Sequence, residues 1–126
     1  MKALNVISTA YRATLEEQDD PIVWITHAMK GAGADLDVLL RGNAVNYVVK
    51  GQDASGLSFG GKAQTHPPNL PRDIEALVGK GIDVFIIEED LNERGLGNES
   101  LVEGIKRIPR AGVPKLMSGY DHVWPW

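Results

Sequence analysis

Glu88, Glu89 and Asp90, with Glu93 a turn further on, form the densest group of reactive side chains in this 126-residue chain. They follow directly on the apolar run Ile82 to Ile87. Paired carboxylates can coordinate Mg²⁺ or share a proton, provided that their oxygens converge on one point. If the strand ran on through them, Glu88 and Asp90 would share one side and Glu89 would point away. The competing reading is a solvated acidic turn, because a helix start favours Asp and Glu and charge runs are commonly exposed. Glu88 and Asp90 are the catalytic candidates, and both readings stand on the sequence.

Three other groups could do chemistry. Gly56-Leu57-Ser58-Phe59-Gly60-Gly61-Lys62 satisfies the first part of a phosphate loop, but Ala63 replaces the hydroxyl residue that would reach Mg²⁺. The segment also runs into Thr65-His66-Pro67-Pro68 instead of a helix, so it reads better as a flap that can bury Leu57 and Phe59. His27, His66 and His122 are the only imidazoles, and no two stand at metal-ligand spacing. His66, in the loop, is the one placed to meet a ligand. Ser8, Thr9, Tyr11 and Arg12 follow the first apolar run, and a guanidinium there could clamp a carboxylate or phosphate. Arg41 and Arg94 could approach from neighbouring strand ends, with ordinary surface pairing as the alternative.

These residues need a frame. Ala3 to Ser8 reads as a buried strand, and Tyr11 to Asp19 as a polar connection. Asp20-Pro21 marks a helix start. Ile22, Ile25, Ala28, Met29 and Ala32 repeat at helical steps and predict the inner face of that helix. Asp35 to Leu40 is a second strand, and Ala44 to Lys50 is a short helix or a continuation. Gly51 to Leu70 is a long loop of the kind that is usually functional or disordered. A helix opens at Pro71, with Ile74, Leu77 and Val78 inward. Ile82 to Ile87, apolar throughout but for Asp83, has the habit of a central parallel strand. Asn98 could cap a short helix holding Leu101 and Val102. Ile105 to Ile108 is a further strand, Val113 to Ser118 a short helix, and Asp121 to Trp124 the last strand. In Trp124-Pro125-Trp126, Pro125 predicts an edge or a tail, and the indoles need cover from this chain or from another subunit.

Strands alternating with helices imply one α/β domain over 1–126. The expected form is a three-layer sandwich, a mostly parallel sheet of about five strands with helices on both faces. Right-handed crossovers put the strand C-termini on one edge, where ligands normally sit. Composition limits what can happen there. The net charge of −4 argues against nucleic acid as the main partner. The absence of cysteine excludes disulfides, thiolate metal sites and cysteine nucleophiles. No secretory signal and no membrane span is recognisable, so a cytoplasmic domain is expected.

From Leu77 onward the order of features resembles the DsrE/DsrF-like family, small α/β proteins of intracellular sulfur transfer. The residues are Gly79-Lys80-Gly81, the strand Ile82 to Ile87, Leu91, Arg94-Gly95, Leu101, Gly104 and Asp121-His122-Val123. The first half fits through its strand–helix–Gly–strand order and Gly42 after Leu40. The family's sulfur carriers place a cysteine at the end of the central strand, four residues before the Leu and eight before the Gly. Counting back from Leu91 and from Gly95 gives Ile87 both times. The resemblance thus implies a homo-oligomer, trimer or hexamer, linked to sulfur metabolism but without its sulfur-carrying thiol. The expected function is non-catalytic binding of a small ligand or protein partner through Ser8, Tyr11, Arg12, Asn43, Phe59, His66, Ile87 and Glu88. No cofactor and no metal is expected. The alternatives are a carboxylate- or Mg-dependent enzyme using the acidic cluster, and a nucleotide- or anion-binding module near Ser8 and Arg12.

Overall fold

The computed structural model describes residues 1–16 and 19–126, so Glu17 and Gln18 of the Tyr11 to Asp19 connection lie outside the described residues. Five strands form one sheet: β1 (Lys2–Ile7), β2 (Asp35–Leu40), β5 (Val84–Ile87), β6 (Lys106–Ile108) and β7 (His122–Pro125). Their order is β6-β5-β2-β1-β7, and every pairing is parallel. The α/β expectation holds. The central strand is β2, however, with β5 beside it, and β5 begins at Val84 with Ile82 buried just ahead of it.

Alternation along the strands divides the core. Ile7, Val38, Leu40, Val84 and Ile86 face one layer, built from α1 (Pro21–Gly31), α2 (Leu70–Gly79) and a 3-10 helix over Gly42–Val48. Leu4, Val6, Leu39 and Ile87 face the other, where the short α4 (Val113–Met117) lays Val113, Leu116 and Met117 on them. The five buried polar residues described, Asn5, Asp20, Thr26, Asp37 and Asp90, are paired. On the first face Asn5 donates to the Thr26 hydroxyl at 3.0 Å and accepts the Trp126 indole N–H at 3.2 Å. On the second, Asp37 accepts from the Asp83 amide, Tyr120 and Lys2. No described helix is long and apolar enough to cross a membrane.

Two local expectations are corrected. The buried face of α1 is Ile22, Val23 and Thr26, while Ile25, Ala28 and Ala32 are exposed. Two polar contacts set this rotation: the buried Asp20 carboxylate caps the amides of Ile22 and Val23, and Thr26 turns inward to Asn5. No helix forms at Asn98. Leu101 instead bridges Val49, and the Val102 amide donates to Val48 O at 2.9 Å, so residues 48–50 take the backbone groups a helix would need. The Gly56 to Lys62 motif becomes a hairpin, β3 (Ser58–Phe59) against β4 (Lys62–Ala63). Gly60 and Gly61 both have positive φ, which a two-residue hairpin turn requires.

β7 lies at the sheet edge as Pro125 implied. Backbone bonds Trp126 N–H to Val6 O and Ser8 N–H to Trp126 O carry the pairing to the last residue.

Candidate functional site

The strand-end edge has two regions of different character. Over β2, β5 and β6 it is closed by ion pairs. Helix α3 (Glu88–Glu93) starts directly after Ile87, so Glu88 and Asp90 do not share a strand side as the extended reading required. Each carboxylate is engaged, Glu89 and Asp90 both by Arg110. Glu88 pairs with Arg107 at 3.1 Å, and Glu89 accepts the Arg110 amide at 2.9 Å. Asp90 accepts the Gly42 amide and the Arg110 guanidinium, both at 2.7 Å. Burial alone pushes the Asp90 carboxyl up, but Gly42 and Arg110 together pull it below its ordinary range.

The residues after β1 and β2 join this network. Arg41 donates to the Ser8 hydroxyl at 2.9 Å. Arg94 donates to Asn43 Oδ1 at 3.0 Å and to the Asp90 carbonyl. Gly42 has φ +57°, and a Cβ there would meet Ser8 O at a tight 3.3 Å, so glycine lets the loop after β2 lie this close to β1 without strain. Ile87 completes the region from below. It is 4% exposed and packs in the second core against Ile108 and α4.

The segment that follows β1 borders an opening. A cavity of about 340 Å³ lies between residues 11–15, residues 52–54 and the start of α2 at 68–71. Tyr11 is a wall, its ring 5.3 Å from that of Tyr47 and its hydroxyl donating to Gln52 Oε1. Gln52 is itself fixed by donating to Asn46 O and Val49 O. Behind them, Tyr47 donates to the buried Asp20 carboxylate at 2.6 Å and accepts the Arg12 amide. Burial, then the Asp20 contact, pushes the Tyr47 phenol well above its usual range.

The long loop forms one side of this region. Gln64 donates to Leu15 O, and Glu16 accepts the amides of Thr65 and His66. His66 sits at that junction, its Nδ1 3.9 Å from Glu16. Phe59 is exposed on the hairpin. His27 bonds the Asp73 carbonyl, and His122 stacks on Trp124. No group of three metal-ligating side chains is gathered among the described residues.

The candidates thus separate. Ser8, Asn43 and Glu88 lie with the ion pairs, Tyr11 and Arg12 beside the cavity, and Phe59 and His66 on the loop. Ile87 is not a wall of the cavity. The sequence reading did not single out Gln52, Asp53, Ala54 or Asn69. A usable signal was the helix start Asn69-Leu70-Pro71, where Asn69 caps the Arg72 amide.

No family model matches the sequence, and no curated protein does. Solved structures do resemble it. The YchN protein from E. coli superposes with TM-score 0.72 over 100% of both chains, at 15% identity. A protein of unknown function from Methanobacterium thermoautotrophicum, MTH1491, gives TM-score 0.59 over 98% of both chains, at 14% identity. Both are DsrE/DsrF-like fold proteins, and the chain shares their architecture. At such identities the likeness carries the architecture alone.

Proposed function

We propose that this chain is a non-catalytic binding protein of DsrE-like fold, cytoplasmic and homo-oligomeric, that serves sulfur metabolism without carrying sulfur. The observation that carries the reading is the contrast along the strand-end edge. At the end of β5 stand a packed hydrocarbon, Ile87, and carboxylates held by Arg107 and Arg110. Past the end of β1 there is instead a cavity, with Tyr11 as a wall. A carrier needs a nucleophilic sulfur, and the chain has no cysteine. A binding protein needs only a concave, mostly apolar site with a few fixed polar groups.

The association with sulfur handling rests on the fold likeness. Oligomer formation is supported by Trp24 and Ile25, which project from α1 into solvent at 64% and 38% exposure. Incubation of the purified protein with a persulfide donor, followed by intact mass measurement, tests the reading. The expected spectrum shows the unmodified mass. A covalent added-sulfur species overturns it.

A further inference from the structure

We propose that the cavity past the end of β1 takes a small aromatic cation, an arylalkyl ammonium ion, in preference to an anion. This rests on the binding reading above and names its ligand class. The walls are mainly hydrocarbon: Ala13, Leu15, Ala54, Pro68, Leu70 and Pro71. About 340 Å³ is at the small end of ligand sites and suits one ring with a short chain.

Three features favour positive charge. Among the described residues, the one ionisable acid or base in the wall besides the Tyr11 phenol is Asp53. The Ser55 amide donates to it at 2.8 Å, and Ser55 holds its carboxyl below the ordinary range. Second, Tyr11 is backed by Tyr47 yet 53% exposed, leaving ring surface on which an ammonium group gains cation–π attraction. Third, the start of α2 offers no ready anion cradle. Pro71 has no amide proton, Asn69 Oδ1 takes the Arg72 amide, and Asn69 O takes that of Asp73. Outside the wall, Asp20 behind Tyr47 is opposed by Arg12, which acts on the same ring, so the sign is set by the wall's own acid. Arg12 and Arg72, next in sequence to wall residues, are not walls themselves.

The test titrates the whole protein with phenethylammonium, 2-phenylethanol and phenylacetate, followed by methyl NMR shifts. Phenethylammonium is expected to move the Ala13, Ala54 and Leu70 methyls saturably and to bind about tenfold tighter than phenylacetate. Asp53→Asn is expected to weaken the ammonium several-fold and to leave the alcohol unchanged. Tyr11→Leu is expected to weaken the ammonium more than the alcohol. Phenylacetate binding as tightly, shifts mapping elsewhere, or no saturable shift with any probe each overturn the proposal. Phenylacetate filling this cavity would leave the binding reading standing with the wrong charge class. A sulfur adduct in the mass experiment would remove that reading and leave the cavity's preference intact.

Discussion

The Asp90 carboxylate accepts the Gly42 amide at 2.7 Å and so ties the start of α3 to the turn that follows β2. Arg110, after β6, closes on the same carboxylate at 2.7 Å and on Glu93 at 3.0 Å. One acid thereby joins the ends of β2, β5 and β6. The group that sequence spacing marks for chemistry is engaged in holding the edge together.

Asp90→Ala should accordingly lower stability by about 1–2 kcal/mol, since it leaves the half-buried Gly42 amide without its acceptor and the Arg110 guanidinium with Glu93 alone. The folded carboxyl titrates below its unfolded value of 3.8, so its stabilisation is present above that pH and is lost as pH falls through the folded value. Urea unfolding at pH 7 and pH 3 checks this. The gap between wild type and variant should be wide at pH 7 and narrow in acid.

Gly42→Ala should lower stability by about 1–2 kcal/mol, because alanine is strained at φ +57° and its methyl would press on Ser8 O. Gly31→Ala, at a position with open space and ordinary φ, is the control and should be neutral or slightly stabilising. Thermal unfolding of the pair distinguishes local strain from a general intolerance of substitution.

Asp73 behaves in the opposite sense to Asp90. Its Oδ2 is buried without a donor, and burial, then the neighbouring Asp19 carboxylate, push its pKa up to about 6. The folded state binds this proton more tightly than the unfolded one. The contribution is therefore fully present below pH 3.8 and is lost as pH rises to about 6. Asp73→Asn should flatten that part of the stability profile and gain about 1 kcal/mol at pH 7, a figure reduced for solvent screening. Denaturant midpoints between pH 4 and pH 7 check it. An unchanged slope would contradict the assignment.

Trp24→Glu addresses the oligomer. The outward face of α1 carries Trp24, Ile25 and Ala28, and a carboxylate in a buried subunit contact costs several kcal/mol. Light scattering should show the wild type as an oligomer and the variant as a monomer with unchanged circular dichroism. A monomeric wild type would rule out the assembly.

What the sequence made legible was the order of elements. Ala3 to Ser8, Asp35 to Leu40 and Ile82 to Ile87 are apolar enough to announce buried strands, and Asp20-Pro21 announces a helix start by its capping chemistry. The rotation of α1 was hidden, because Thr26 is buried through a partner, Asn5, that lies on another element. Likewise Leu101 and Val102 look helical until residues 48–50 claim their backbone. The cavity was hidden for the same reason. Tyr11, Gln52 and Leu70 are far apart in the chain, and nothing in their types shows that they converge. The acidic run was visible, but its arginine partners come from a later strand and turn.

The central claim is that the end of β5 is packing and not chemistry, and Ile87→Cys tests it most directly. The account predicts a folded protein, destabilised by about 1–2 kcal/mol, whose introduced thiol reacts with a persulfide donor far more slowly than an exposed cysteine. Fast, stoichiometric persulfidation at that position, with the fold intact, would contradict it.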